Sequence, residues 1–539
     1  MNAVRRFLSG SVGVHLAAFR RERRPQLAAL ALLVGLAACG AALAFHAGVE
    51  ALQRLWLGTD TAGFLAAASA APWWRVMAGP VLGGLAVGLF LTVFLPNQRT
   101  SSIADVVEAR STGSADRLAF WPGVASAVAT VVSLGAGASA GREGPMVHLG
   151  GTIATSLGNR FRLPPDGART LIAAGAAGAI AASFNTPLAG VLFAHEVILG
   201  HYALGAFVPT VIAAAAAVVP YRALHGDVSA FAMPDVAVAS LAEFPAFALL
   251  GVAAGAAAVL FQWTLVGTDL AARRLPLPLW ARPVLGGVVV GAMGLAFPQV
   301  LGIGYAAVDA ALRSDMAVPL LLALIAAKIV ATAVTLASRF GGGIVFPSLY
   351  VGAMTGGAFG RIASSLVPSL ASSHPVYAVL GMAAVGSAML GAPISTAVMV
   401  FELTGGFQLS IALLLCVAMA NATTHALHGR SLIDWQLEMR GILLRDGAHR
   451  HTMRALKVER FMSPLVTPAP LPEDYPRGTV LHPGDSLARA LKLFDFTRAA
   501  EIAVVDPAAP DRMIAWATHV EALRIYNEAL VAEAAERVR

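Results

Sequence analysis

One short segment of this sequence places a charged pair between glycines and a proline. It reads Gly141-Arg142-Glu143-Gly144-Pro145. Glycine lets the backbone approach a ligand closely, and proline is well suited to the first turn of a helix. A helix that begins here offers free N–H donors and the positive end of its dipole, which together attract an anion. The segment therefore predicts an anion site.

A second segment has the same form without the charges. It reads Gly343-Ile344-Val345-Phe346-Pro347, and two further glycines precede it. A single break of this kind is compatible with an ordinary helix start. Because the form occurs twice, and because one copy carries charges within an apolar region, we favour paired anion-binding helix starts.

Two proline breaks recur in the same order in both halves of the chain. The prolines of the two segments above are 202 residues apart, and Pro187 and Pro393 are 206 residues apart. Pro187 is followed nine residues later by Glu196, and Pro393 by Glu402. Duplicated halves with Gly/Pro-interrupted segments in matching positions predict a binding site at the membrane midplane between the repeats.

The elements that position these segments are apolar. Of 539 residues, 57% are apolar and 13% charged, and runs approaching or exceeding the roughly 20 residues of a membrane span recur from Leu27 to Ala420. The longest are Leu171–Val197 and Tyr377–Phe401. Several arginines precede the first run without a cleavage site, so the N-terminus is predicted to be cytoplasmic. The net charge of +7 is then explained by membrane topology and contact with lipid headgroups rather than by nucleic-acid binding. The two cysteines, Cys39 and Cys416, predict neither a disulfide nor a metal site.

Glu143 is the first candidate for a functional role, because a carboxylate at membrane depth is costly. Burial favours its neutral form, whereas Arg142 and the helix start favour its charged form. This competition suits a group that moves or takes up a proton on demand. The alternative is a static ion pair between Glu143 and Arg142.

Other ionisable residues in the apolar region are expected to have structural roles. We predict that Glu196 and Glu402 close their helices near an interface, and that Lys328 lies near a membrane edge. His148 and His195 have no ligand-like spacing, so packing or a simple hydrogen bond is expected.

The motifs resemble those of the CLC family of chloride channels and proton-coupled chloride exchangers. Residues 141–145 match one signature of the family. Residues 343–347 match a second signature, with Val345 in place of its central Phe. Ser101 takes the serine position of a third signature, in which Ala104 replaces Pro. The resemblance covers residues 25–441, with repeats at about 75–225 and 280–425. It implies an all-α polytopic membrane protein, an inverted repeat of tilted and broken helices, in a bacterial inner membrane.

The resemblance also implies a homodimer with one pore per subunit and chloride as the bound ion. Carried over by position, the chloride ligands are the Ser101 hydroxyl and the N–H groups of Ile344 and Val345, and Glu143 is the gate. The inner tyrosine of the family is replaced by Ile433, which leaves an apolar inner constriction.

The exchangers of the family carry a second, inner glutamate that transfers protons. Val197 stands at that position in this sequence, and a valine side chain cannot carry a proton. The sequence therefore favours passive, channel-type chloride transport gated by Glu143. A proton-coupled antiporter with another inner proton route is the alternative. An intramembrane enzyme using Glu143 and a histidine is a third class, but no nucleophile or metal-ligand cluster accompanies the glutamate.

After a linker at 442–457, residues 458–539 resemble one degenerate CBS domain, a small cytoplasmic α/β unit. Leu487, Leu491 and Phe494 share one helical face, and residues 501–506 and 518–528 predict a buried strand and a final helix. Glu521 stands where a ribose-binding Asp is usual, so packing is favoured over adenine-nucleotide sensing, and no cofactor is expected.

Overall fold

The computed structural model describes residues 24–95, 97–112, 118–226, 231, 238–313, 316–368, 371–405, 407–442, 453, 456–472, 475–476 and 478–538. The chain divides into two compact units, residues 1–435 and 436–539. The basic N-terminal arm before Arg24 and most of the 442–457 linker lie outside the described residues.

Helices make up the named secondary-structure elements of the first unit in its described residues. Its helices are α1 Arg24–Leu57, α2 Phe64–Ala70, α3 Trp73–Phe94, α4 Ile103–Thr112, α5 Phe120–Gly135, α6 Glu143–Arg160, α7 Pro165–Phe184, α8 Pro187–Phe193, α9 Leu204–His225, α10 Phe244–Arg274, α11 Arg282–Ala296, α12 Tyr305–Leu312, α13 Val318–Ala337, α14 Val345–Leu366, α15 His374–Leu390, α16 Pro393–Thr404, α17 Ser410–His428 and α18 Leu432–Glu438, which begins in this unit. Short 3₁₀ turns flank several of them, and α8 continues as a π-helical turn, Ala194–Leu199.

Length and composition confirm a multi-pass membrane protein. Within the described residues, eight helical spans are long and apolar enough to cross a bilayer. The two longest apolar runs each contain a break. The run at 171–197 is interrupted at Asn185, and the run at 377–401 at Gly391, both in left-handed backbone with φ of 60° and 70°. Each break ends one helix and lets the chain start a new one at the following proline.

The two repeats predicted from the proline spacing are present and inverted. Helices α5–α9 of the first repeat correspond, in the same order along the chain, to helices α13–α17 of the second. Glu402, at the end of α16, accepts hydrogen bonds from the N–H groups of Leu188 and Ala189 at the start of α8, at 3.0 and 2.7 Å. Glu196, in the π-helical turn after α8, accepts the matching pair at the start of α16, at 3.1 and 2.7 Å. Because each helix end meets the other helix's start, α8 and α16 are antiparallel, and both glutamates have the structural role expected of them.

Glycines allow the long helices of each repeat to pack at backbone contact. A Cβ added to Gly150 of α6 would lie 2.3 Å from the carbonyl oxygen of Gly175 in α7, and the reverse distance is also 2.3 Å. In the second repeat, Gly352 of α14 and Gly381 of α15 show the same reciprocal contact, at 2.3 and 2.4 Å. Helix α6 and helix α14 carry the two predicted anion-binding segments at their starts, so these contacts hold both starts in place.

We expect Gly352→Ala to destabilise the protein. Its new methyl group would meet the backbone of α15, which cannot move aside as a flexible side chain could. Overpacking of this kind costs about 1–3 kcal/mol, and the measurement is the thermal midpoint of the detergent-solubilised protein. Gly40→Ala in α1 is the matched control, because nothing lies within 4 Å of its added Cβ. An unchanged midpoint for Gly352→Ala would contradict the close packing of α14 on α15.

The second unit contains a three-stranded antiparallel sheet of β1 Met462–Pro470, β2 Glu501–Asp506 and β3 Ala509–Thr518, in the order β1-β3-β2. Helix α19, Leu487–Thr497, and helix α20, His519–Val538, accompany it. The predicted buried strand is β2 and the predicted final helix is α20, which extends further than expected.

The core of this unit agrees with the predicted helical face. Leu487 and Phe494 of α19 are buried and Leu491 is partly buried against them. Ser486 caps α19 by accepting a hydrogen bond from the Arg489 N–H at 3.3 Å. A small sheet with helices of this kind is the α/β unit that the sequence predicts.

Glu521, at the position of the usual ribose-binding aspartate, is already engaged within α20. Its carboxylate accepts hydrogen bonds from the guanidinium of Arg524, one of them at 2.9 Å. These hydrogen bonds lower the pKa of the Glu521 carboxyl.

Candidate anion site

The two glycine-rich segments meet in the first unit. The Gly141 N–H donates to the Gly343 carbonyl at 2.8 Å, and the Gly343 N–H donates to the Gly141 carbonyl at 2.6 Å, forming an antiparallel bridge. A Cβ on Gly343 would lie 2.8 Å from the Gly144 backbone nitrogen. Only glycine therefore permits this approach, which brings the starts of α6 and α14 together between the repeats.

Both helix starts carry backbone N–H donors that lack a partner within their own helix. Helix α6 follows Arg142 and helix α14 follows Ile344, and neither preceding side chain caps its helix. The first N–H groups of a helix have no partner within the helix. Ile344 and Val345 are buried, with 8% and 0% of their surface exposed. The arrangement offers an anion backbone donors at a place shielded from bulk water.

The Glu143 carboxylate lies at the start of α14. Its Oε2 accepts a hydrogen bond from the Phe346 N–H at 3.4 Å, and its side chain is fully buried. A Cβ on Gly141 would lie 2.2 Å from this same Oε2, so the absence of a side chain there makes room for the carboxylate. Within the described residues, Glu143 Oε1 has no hydrogen-bond partner. A negative charge of the protein thus occupies donors that could serve an anion.

Arg142 is directed away from Glu143. Its guanidinium donates to the Ser183 carbonyl, approaches Tyr305 Oη at 3.2 Å, and lies 3.3 Å from His46 Nδ1. No ion pair joins Arg142 to Glu143 in the described part of the chain. The static pair that the sequence left open is therefore absent from this structure.

Aromatic rings cover the same region. The Tyr305 and Phe346 rings lie 4.1 Å apart between centroids, and the Phe231 ring lies 5.8 Å from Tyr305. The motifs indicated neither Tyr305 nor His46, which lie 163 and 96 residues from Arg142 in the chain. No local pattern links residues at such separations, so only packing reveals them.

The structure places Ser101 and Ile433 outside the two glycine-rich segments, in other parts of the first unit. Ser101 lies just before α4, and its N–H donates to Ser126 Oγ at 2.7 Å. Ile433 is the second residue of α18 and is 5% exposed. Among the described residues, no hydrogen bond links either of them to residues 141–145 or 341–347. The geometry therefore unites Glu143 with the start of α14, while the parts expected of Ser101 and Ile433 stay predictions.

Val197 lies in the π-helical turn after α8, a type of distortion that is frequent at functional sites. Its neighbour Glu196 is occupied by the backbone of α16, as described above. His195 is buried and stacked on Tyr202 at a centroid distance of 5.8 Å, and His148 is also buried. The stacking contact is the packing role expected of His195.

The expected position of Lys328 at a membrane edge is wrong. Lys328 lies in the middle of α13 and is fully buried. Its ammonium group donates to the carbonyl oxygens of Val300, Gly302 and Ile303, at 3.2, 3.0 and 3.1 Å. These three acceptors supply hydrogen bonds to the side-chain nitrogen inside the protein, so it does not need the membrane surface. Lys328 thereby secures the loop that leads to Tyr305.

Comparison with known proteins agrees with this arrangement. Residues 83–425 match the family model of the voltage-gated chloride channel. A ClC-type voltage-gated chloride channel, ClcB, of Salmonella dublin is 32% identical over 407 residues, which cover 75% of this chain and 97% of that protein.

Two solved structures share the fold. A slow cyanobacterial Cl⁻/H⁺ antiporter has a TM-score of 0.69 at 24% identity and covers 77% of this chain and 98% of its own. A eukaryotic CLC transporter has a TM-score of 0.69 at 20% identity, and the match covers 93% of this chain and 98% of that transporter.

Fold and site together define a multi-pass membrane protein for anion transport. The chain belongs to the voltage-gated chloride channel family, also called the CLC family. Chloride transport is the function that this membership supports.

Proposed function

We propose that this protein conducts chloride passively, as a channel, through a pathway gated by Glu143. The observation that carries the proposal is the Glu143 carboxylate bound to the Phe346 N–H at the start of α14. A carboxylate and a chloride ion compete for the same donors, so the anion binds when the carboxylate is protonated or moves away. The Ile344 and Val345 N–H groups and the Ser101 hydroxyl are the further ligands in this proposal.

Channel-type transport is supported by Val197. The side chain cannot carry a proton, and the adjacent Glu196 carboxylate is held by two backbone N–H groups of α16. The name of the Salmonella relative, a chloride channel, favours the same function. Proton-coupled antiport is the second candidate, because a structural neighbour that shares this fold is a Cl⁻/H⁺ antiporter.

The protein's setting is part of the proposal. We infer a homodimer with one pore per subunit, in a bacterial inner membrane with both termini in the cytoplasm. The expected partners are chloride and membrane lipids, with no enzymatic activity and no resident cofactor. Chemical cross-linking of the protein in native membranes tests the dimer.

Chloride flux should proceed without stoichiometric proton counterflow. Because Val197 supplies no inner proton acceptor, a chloride gradient should not drive protons uphill. The measurement is chloride flux from proteoliposomes with simultaneous recording of external pH, and protein-free vesicles are the control for proton leak. Sustained uphill proton movement driven by chloride would replace the channel with the antiporter. Val197→Glu alone is not expected to create exchange, since the rest of an inner proton path would also be needed.

A further inference from the structure

A cavity of about 500 Å³ lies beside Arg142, between the second half of α1, the ends of α7 and α9, and the start of α12. With the N-terminus in the cytoplasm, as proposed, this half of α1 and the cavity lie toward the outer face. Its ionisable lining side chains are His46, Glu50, Arg142, Tyr221, His225, Tyr305 and Asp309. The cavity therefore joins the residue next to the gate to several groups that respond to pH.

His46 contacts both a basic and an acidic side chain of this cavity, Arg142 and Glu50. Arginine is always a donor, so the 3.3 Å contact between Arg142 Nη1 and His46 Nδ1 requires Nδ1 to be the acceptor. The ring proton of neutral His46 then lies on Nε2, which is 3.4 Å from Glu50 Oε1. Neutral His46 thus satisfies Arg142 on one side and Glu50 on the other.

Protonation reverses one of these contacts. Both ring nitrogens of a charged imidazole are donors, so Nδ1 can no longer accept from Arg142. The contact with Glu50 becomes an ion pair, while two positive charges now face each other at the other nitrogen. The guanidinium therefore loses one of its three partners when His46 is protonated. Arg142 Nε, which is buried, has no partner of its own in the described part of the chain.

We propose that His46 is a positioning residue for Arg142 that controls how the guanidinium meets arriving anions. Neutral His46 holds Arg142 against the protein. Protonated His46 releases Arg142 Nη1 toward the cavity, where it can attract chloride on its way to the gate. The inference rests on the proposed chloride pathway past Glu143 and adds a second, external control to it.

The other charged groups around His46 do not replace it. Glu50 also pairs with Arg54 at 3.3 Å on the same helix. From α9, the His225 ring faces His46 at 6.4 Å and is stacked on Tyr221 at 4.7 Å. From α12, Asp309 pairs with Arg313 at 2.8 Å, and Tyr305 contacts Arg142 directly.

The test measures chloride flux into proteoliposomes of the full chain in a Glu143→Gln background, which isolates pH effects other than those of the gate. External pH is set to about 7.5 and about 4.5, so that the lower value lies well below the usual titration range of histidine. Release of Arg142 Nη1 toward the cavity, where its positive charge can attract chloride, should raise flux about twofold at the lower pH. His225→Gln is the matched control, since it removes an imidazole from the same cavity and leaves the His46–Arg142 contact intact.

Two substitutions of His46 separate orientation from charge. His46→Gln retains an acceptor for Arg142 and cannot titrate, so flux should stay at the lower level at both pH values. His46→Leu removes the acceptor without adding charge, so flux should stay at the higher level at both. Persistence of the twofold rise in both variants would overturn the inference, as would equal flux in the two variants. Failure of the gate itself is recognised separately, because Glu143→Gln alone would then behave as the wild type.

Discussion

Glu143→Gln should increase chloride flux at neutral external pH and remove most of its dependence on that pH. Glutamine keeps the size of glutamate and resembles its protonated form, so it no longer competes with chloride for the Phe346 N–H. Two unit charges 4 Å apart interact by about 4 kcal/mol at an effective dielectric constant of about 20. Since about 1.4 kcal/mol corresponds to tenfold, relief of even part of this repulsion should raise flux about tenfold.

The measurement is the initial rate of chloride efflux from proteoliposomes over a range of external pH. Wild-type flux should rise with acidification, because a protonated Glu143 leaves the donors free, whereas the variant should already be fast at neutral pH. Glu143→Asp is the control, since it keeps a titrating carboxylate and should keep the pH dependence. If Glu143→Gln has the rate and the pH profile of the wild type, Glu143 is a structural residue.

Ile433→Tyr should tighten chloride binding. A hydrogen bond from a neutral donor to a charged group contributes about 1.5–3 kcal/mol, equivalent to about 10- to 150-fold in affinity. Ile433 supplies no such donor, so Ser101 and the Ile344 and Val345 N–H groups are left to hold the ion. We therefore expect weak chloride binding in the wild type, with shallow discrimination among chloride, bromide and nitrate.

Titration calorimetry of the detergent-solubilised protein measures the gain. Ile433→Phe is the matched control, because it adds the same ring without the hydroxyl and should leave chloride affinity near that of the wild type. Equal affinities for the tyrosine and phenylalanine variants would mean that the inner ligand comes from another residue. The assignment of the start of α18 to the inner end of the pathway would then be wrong.

The three breaks in repeated helices show why part of the fold could be predicted. Glycine and proline act on the backbone within one turn, so the starts of α6, α14 and α16 follow from Gly144-Pro145, Phe346-Pro347 and Pro393 themselves. Membrane helices can also be predicted from the sequence, because a run of apolar side chains is compatible with lipid wherever it lies in the chain. Lys328 shows the limit of this reading, since its three carbonyl partners belong to a loop more than twenty residues away.

By itself, the sequence determined that the chain crosses a membrane repeatedly, that it contains two related halves, and that each half starts a helix with free backbone donors. These are local properties of residue type and spacing. The tertiary structure alone decided that Gly141 pairs with Gly343, that the Glu143 carboxylate lies on the Phe346 N–H, and that Arg142 contacts His46. Those partners are separated by about a hundred to two hundred residues, and the direction of a side chain across such a distance is set by the packing of whole helices.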